Sequence, residues 1–291
     1  MVSDLIAPRK IFGDFLRKAV ELSRIRYYNV IDRRITAEKG AETVQIMISP
    51  AKNMREDLDG FAPEGSPPFL DDTEELRQYL LDLGYEGCQT LWNCNESIAS
   101  RQFRNLQEMD FRARLTPAVF AYDGLQYRHM APKVFTVEEL SYIRQHLYIL
   151  SGFYGALRAF DGVTPYRLEM QAKLPGFRCR TLYEFWGSRL AEVLTEQDTV
   201  LLDLASKEYS KAVRPWLSEK IRCVEVVFAE RIGGTLKEKG TQAKMARGAM
   251  VRYLAKIGAE SPEEARGFSD FQFAYCAEES TPTRMVFVKG V

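Results

Sequence analysis

Three stretches of the chain place a hydroxyl, and two of them a cation, just past an apolar run. These are Ser49-Pro50-Ala51-Lys52, Ser151-Gly152 and Ser206-Lys207. Hydroxyl, ammonium and backbone N–H groups are hydrogen-bond donors, and donors gathered outside the carboxyl ends of strands suit an anion such as phosphate. The stretch from Ile149 to Leu174 extends the theme. After Ser151 it carries Gly152 and Gly155, which let the backbone approach a neighbour closely, and then Arg158, Asp161, Arg167, Glu169 and Lys173. A carboxylate beside arginine can hold the guanidinium in place, act as a base or ligate a metal. The first role is favoured, because no second carboxylate stands at metal-ligand spacing and the only histidines are His129 and His146. Neither a zinc site nor an organic cofactor is legible. A GxSxG elbow, a P-loop and a histidine base are also missing, which weakens an enzymatic reading without removing it.

These residues need elements to position them. Val44–Ser49, Leu147–Leu150, Val200–Leu204 and Val224–Ala229 read as strands, as does Ala118–Tyr122. Helices are expected over 74–83, stopped by Gly84; over 136–146, opened by the Thr136/Glu139 capping box; over 182–194; and over 241–257. The last helix adds Lys244 and Arg247, with Gly248 marking a close packing contact. Gly233-Gly234 suits a hairpin, and the alternations Phe271, Phe273, Tyr275 and Met285, Phe287, Lys289 suit another. Gly60 to Pro68 is an irregular loop. Strands alternating with helices predict an α/β (mixed α+β) fold, a single globular domain with a mixed sheet and flanking helices. In that fold the three hydroxyl-bearing strand ends converge on one anion-binding face; chance competes, since Ser and Lys are common at strand ends.

Two short helices, 85–91 and 97–106, joined through Trp92-Asn93-Cys94-Asn95, could form a hairpin offering N–H groups to phosphate, helped by Arg101 and Arg104. Simple helix packing accounts for the pattern equally well. Leu174-Pro175-Gly176-Phe177 looks more like such a hairpin turn than anything in 85–107, but it is a decoy and a loop is the favoured reading there.

Composition bounds the rest. With 46% hydrophobic residues over 291 positions the chain can bury a sizeable core. Forty Lys+Arg balance forty Asp+Glu, so attraction to nucleic acid must come from a local patch. Five cysteines without a CxxC suit reduced thiols, and no apolar run is long enough to span a bilayer, so a cytoplasmic protein with no membrane partner is expected. Cys179, between Arg178 and Arg180, comes closest to a peroxide-sensing thiol but has no resolving cysteine nearby in sequence. Residues 1–43 include an apolar periodicity over 11–31 that fits a basic amphipathic helix or a solvated leader.

Several motifs occur in order: VQIMISPAKNM from Val44, LSGFYGALR ending at Arg158, PYRLEMQAKL from Pro165, LYEFWG from Leu182 and KMARGAMVR from Lys244. Together they resemble the YaaA-type family of peroxide-stress resistance proteins, over 44–291. The resemblance implies a cytoplasmic protein that protects the cell under hydrogen peroxide, is associated with limited free intracellular iron, and binds DNA, with a helix-hairpin-helix element in the region of 85–107. The glycine-containing hairpin of that element is absent here. The set expected to hold a duplex or branched DNA backbone, with little sequence preference, is Ser49, Lys52, Arg101, Arg104, Ser151, Arg158, Arg167, Glu169, Lys173, Ser206, Lys207, Lys244 and Arg247. The alternative is an enzyme acting on a phosphorylated or nucleic-acid substrate through Ser151, Ser206, Asp161, Glu169 or Glu208. Because every motif lies beyond residue 43, a chain beginning at Val44 should be soluble and melt cooperatively, with DNA retention unchanged; loss of solubility or retention would show that the leader packs onto the domain.

Overall fold

The computed structural model describes residues 43–196 and 199–290, so the helix expected within the leader lies outside the described residues. At its centre is β1 (Thr43–Ile48), in which Val44, Ile46, Met47 and Ile48 are all fully buried. A strand apolar on both faces belongs inside a parallel sheet covered on both sides. It pairs in parallel with β5 (Leu147–Ser151) on one side and β8 (Thr199–Asp203) on the other. β8 pairs in parallel with β9 (Cys223–Ile232), and β9 with β12 (Arg284–Lys289). Antiparallel strands finish both edges: β6 (Gly155–Arg158) beside β5 and β11 (Phe273–Tyr275) beside β12, while β10 (Thr235–Lys237) pairs β9 through the Gly233-Gly234 turn. The order is therefore β11-β12-β9-β8-β1-β5-β6. Five parallel strands with antiparallel edges form the expected mixed sheet. Two small sheets lie apart from it: β2 (Asn53–Met54) with β4 (Tyr122–Asp123), and β3 (Thr116–Pro117) with β7 (Gly162–Val163).

The first helix, α1 (Leu70–Trp92), is broken where Gly84 takes φ 72° and ψ 176°, so the expected stop at Gly84 is a break between two helical segments. Asn93 in the left-handed conformation and Asn95 as N-cap then lead into α2 (Glu96–Glu108). Asparagine tolerates that conformation, which removes the need for a hairpin glycine. Ala118–Tyr122 is a correction: its first four residues form a helical turn, α3 (Ala118–Ala121), and only Tyr122 enters a strand. The run is buried throughout, so it shows no alternation. Its N–H groups at Ala118 and Val119 bond to the carbonyls of Asp161 and Ala159 rather than to a neighbouring strand.

Next come α4 (Leu125–Met130) and α5 (Val137–His146), the latter opened by the expected Thr136 capping box. The helix expected over 182–194 is two pieces, α6 (Leu182–Trp186) and α7 (Arg189–Leu194). They are separated by Gly187 at φ 51° and ψ −134°, a conformation that only glycine adopts readily. Trp186 is fully buried and its indole donates to the Gly152 carbonyl at 3.0 Å, so the LYEFWG aromatics serve packing. A single turn, α8 (Lys207–Ser210), follows β8, and α9 (Gly240–Ile257) packs against α4 and α5. Among the described residues no helix is long and apolar enough to cross a membrane.

Gly248 of α9 sits against α4 so closely that an added Cβ would lie 1.9 Å from the Gln126 carbonyl oxygen. That atom is backbone and cannot rotate away. Gly248→Ala should therefore cost about 3 kcal/mol, the upper end for overpacking, read as a lower denaturant midpoint at unchanged slope. A loss under about 0.5 kcal/mol would show that the two helices slide apart freely.

Candidate functional site

β1 lies between β5 and β8, so the chain leaves it toward one side of the sheet and later continues on the other. In such a sheet a crevice opens outside the carboxyl ends at this reversal of strand order. The loops after β1 and β8 are tied together there. Ser49 Oγ accepts from the Ser206 backbone N–H at 2.8 Å and donates to Ser206 Oγ at 3.2 Å. The Ser49 carbonyl accepts from Tyr127 OH at 2.9 Å and from Gln126 Nε2 at 3.2 Å. These two serines stitch the crevice floor, and one of the four protons involved links the hydroxyls to each other.

Beside them, Lys52 Nζ meets Glu169 Oε2 at 2.8 Å, and Arg167 approaches Glu169 Oε1 at 3.7 Å. Glu169 thus holds two cations, the orienting role favoured from the sequence. The Arg167 side chain is only 9% exposed, and its Nε is buried without an acceptor. Glu208, on α8, accepts from the Gln171 N–H at 3.3 Å. Burial raises its carboxyl above the usual range, the negative charge of Glu169 adds to this, and Lys52 partly offsets it.

Ser151 does not face this crevice. It is fully buried, accepts from the N–H groups of Phe153 and Tyr154 at 3.1 and 2.8 Å, and is 2.7 Å from Tyr166 OH, which in turn is 2.9 Å from Tyr122 OH. Its donors and acceptors are spent on turning the chain. The neighbour that Gly152 admits is the chain itself, since a Cβ there would meet the Leu168 carbonyl oxygen at 2.7 Å.

Arg158 is placed elsewhere as well. It pairs with Tyr148 near the start of β5, about 10 Å along the strand from Ser151, with its guanidinium over the Tyr148 ring at 5.1 Å. Asp161 stands with it, accepting from the Arg158 N–H at 2.8 Å, and burial lifts its carboxyl to about 6. Both belong to the opposite end of the β5–β6 pair. Arg101 and Arg104 are exposed on α2, and Lys173 and Lys244 are exposed. The Pro175-Gly176 turn docks on α1 through Tyr79 OH to the Pro175 carbonyl at 3.0 Å and an Arg178–Glu75 ion pair, so it is a loop and not a helical hairpin.

On the far side of α8 is a cavity of about 200 Å³ lined by Lys207, Ser210, Lys211, Arg214, Glu225, Glu238 and Arg247 among others. Under it, Asp203 ends β8, fully buried, accepting from the Ala205 N–H at 3.0 Å and from Ser210 Oγ at 2.8 Å. Burial lifts its carboxyl to about 6. Sequence reasoning found Lys207 and Arg247 but missed Asp203, Ser210, Lys211, Arg214, Glu225 and Glu238. Asp203 left a signal, a single carboxylate inside the apolar run Val200–Leu204, and Ser210-Lys211 continue the Ser and Lys pattern after that run; Arg214, Glu225 and Glu238 left none. Among the described residues no group of three or more His, Cys, Asp or Glu side chains could hold a metal ion. Burial pushes the thiols of Cys88 and Cys223 up to about 12, and Arg178 approaches Cys179 Sγ at 3.8 Å.

The match to the family model described as peroxide stress protein YaaA runs from residue 44 to residue 279. The chain belongs to this family. A relative named UPF0246 protein in Lachnoclostridium phytofermentans is 47% identical over 247 residues, 85% of this chain and 97% of the relative. A UPF0246 protein of Pediococcus pentosaceus is 43% identical over 247 residues, covering 85% and 98%. Another, from Lactiplantibacillus plantarum, is 44% identical over 245 residues, covering 84% and 99%. The family's shared region therefore contains both the Ser49/Ser206 crevice and the cavity beside it.

Asp203 also gives the site a pH signature. Its folded-state pKa of about 6 lies above the ordinary 3.8, so the folded protein holds this proton more tightly than the unfolded chain does. The group's favourable contribution is present at low pH and lost as pH rises from about 4 through about 6. Asp203→Asn removes this titration. Relative to wild type, the variant should gain up to about 3 kcal/mol between about pH 4 and about pH 7.5, measured by urea unfolding at each pH. A stability difference that is flat with pH would contradict the assignment.

Proposed function

We propose that this member of the YaaA family contributes to peroxide resistance by binding DNA through its phosphate backbone along the carboxyl edge of the sheet. The observation that carries the reading is the placement of Lys52, Lys207, Lys211 and Arg214 on segments following adjacent parallel strands β1 and β8, in a chain of zero formal net charge. A neutral protein has no diffuse pull on DNA, so a local row of cations must supply the attraction. Adjacent strands are about 4.8 Å apart, and successive phosphates along one DNA strand are of comparable order, so cations on neighbouring strand ends suit a backbone. Contacts of this kind position a duplex without reading bases, hence little sequence preference. In this reading the protein acts at DNA, and any effect on free intracellular iron is indirect.

A second reading, an enzyme acting on a phosphorylated or nucleic-acid substrate, is favoured by one arrangement. Glu208, its carboxyl raised by burial, stands near the Lys52–Glu169 pair, and a carboxyl tuned upward beside an ammonium can move a proton.

Fluorescence anisotropy of labelled duplex between about 50 and 200 mM salt separates these readings. Wild type should lose affinity steeply with salt, and Lys207→Gln with Lys211→Gln should lower the slope of log K against log salt by about 0.9 per contact removed. Arg158→Ala, at the other end of its strand, should leave both affinity and slope unchanged. An unaltered slope in the lysine variants would remove this edge as the DNA site, and strand cleavage dependent on Glu208 would move the enzyme reading to the front.

A further inference from the structure

The cavity behind α8 holds a buried guanidinium that no carboxylate engages by a hydrogen bond. The Arg247 side chain is 9% exposed, its Nε has no acceptor, and its nearest carboxylate, Glu238, is 3.8 Å away, beyond hydrogen-bond reach. A guanidinium has five donors in a fixed fork, and burying it without a bidentate partner is costly. Burial accordingly weakens its hold on the proton. Asp203 is not its missing partner, because Asp203 Oδ1 is taken by Ser210 and Ala205 and its Oδ2 meets no donor.

The surroundings say which anion would complete the site. Exposed Lys207, Lys211 and Arg214 stand at the mouth, with Ser210 and Arg247 buried behind them. Four lining cations face two lining carboxylates, and one of those, Glu225, is shared between Arg214 at 3.6 Å and Arg284 at 3.7 Å. The excess is about two positive charges, which matches a dianion. At about 200 Å³ the cavity is smaller than the roughly 300 Å³ at which pockets for whole drug-sized ligands begin, so it suits a phosphate group and not a nucleoside. An internal phosphodiester carries one negative charge and a monoester up to two, so the charge excess favours the monoester.

We infer that the cavity lined by Arg247, Ser210, Lys207, Lys211 and Arg214 is a binding site for a phosphomonoester dianion, supplied by a terminal phosphate of a DNA strand or by a small phosphorylated molecule. The first source rests on the DNA-binding reading above; the second does not. The step is binding alone, with no bond made or broken. Arg247 forms the charge-assisted fork to the phosphate oxygens, and the mouth lysines neutralise the outer charge.

The test uses the full chain and two measurements. The first compares binding of one duplex bearing 5′-phosphate, 3′-phosphate or hydroxyl ends. The second follows the melting temperature with inorganic phosphate, ribose 5-phosphate or dimethyl phosphate added. A DNA-end site predicts about tenfold tighter binding of a phosphorylated end, abolished by excess inorganic phosphate. A small-molecule site predicts equal binding of all ends, with stabilisation by ribose 5-phosphate and inorganic phosphate but not by the diester. Either outcome supports the inference if Arg247→Gln and Lys207→Gln each remove it; Lys207 is exposed, so its variant carries the test if Arg247→Gln fails to fold. If no monoester binds or stabilises, the inference is overturned, whatever the affinity for hydroxyl-ended duplex. Conversely, monoester binding without any duplex binding would overturn the DNA reading and leave the cavity assignment standing.

Discussion

The parallel pairing of β1 with β5 on one side and β8 on the other is the constraint on which the candidate site depends. Because the three strands run the same way, their carboxyl ends must share one edge, and the segments that follow them meet although they are some 100 and 50 residues apart in the chain. The β1–β8 register, Thr43 with Thr199 through Met47 with Asp203, brings Ser49 and Ser206 within hydrogen-bond distance. A slip of one residue would turn the fully buried Ile46, Met47 and Ile48 to different neighbours and separate the two serines. Apolar packing thus holds a polar geometry that no local interaction could hold.

The polar groups divide into those the fold satisfies and those it leaves open. Ser151, Tyr166 and Tyr122 form a buried chain of hydrogen bonds, and the neighbouring Tyr154 bonds to Thr164 at 2.9 Å. Burial pushes the Tyr166 hydroxyl up to about 12. Each such bond adds about 1 kcal/mol net, but deleting one partner would strand the other at about 1–3 kcal/mol, so the network fixes a single arrangement of the 151–166 segment beneath the crevice. Arg167, Asp203 and Arg247 are different: each is buried and each keeps one atom without a partner. Open groups of this kind are the ones available to a ligand.

Patterning made much of the architecture legible. The continuous apolar runs at 44–48, 147–150, 200–204 and 224–229 are strands because parallel strands buried on both faces have no reason to alternate. The same logic fails at Ala118–Tyr122, where an equally apolar run folds as a turn of helix because the carbonyls of residues 159 and 161 capture its N–H groups. Glycines were readable as requirements for space, but not as to what fills it. Gly152 and Gly248 both admit the chain's own backbone, at 168–170 and 126–130, and not a ligand.

By itself the sequence determined the α/β class, the mixed sheet, the strand ends bearing Ser49, Lys52, Ser206 and Lys207, and family membership, because these follow from local periodicity and from contiguous motifs. Tertiary structure alone decided which cations share a surface. It buried Ser151 under Tyr166, sent Arg158 to the far end of β5 through an antiparallel hairpin, and brought Ser210, Lys211, Arg214, Glu225 and Glu238 around Arg247 from three separate segments. Charge carries no period along the chain, and strand direction is set by pairing partners far away in sequence, so the neighbours of a buried guanidinium are fixed only when the sheet closes.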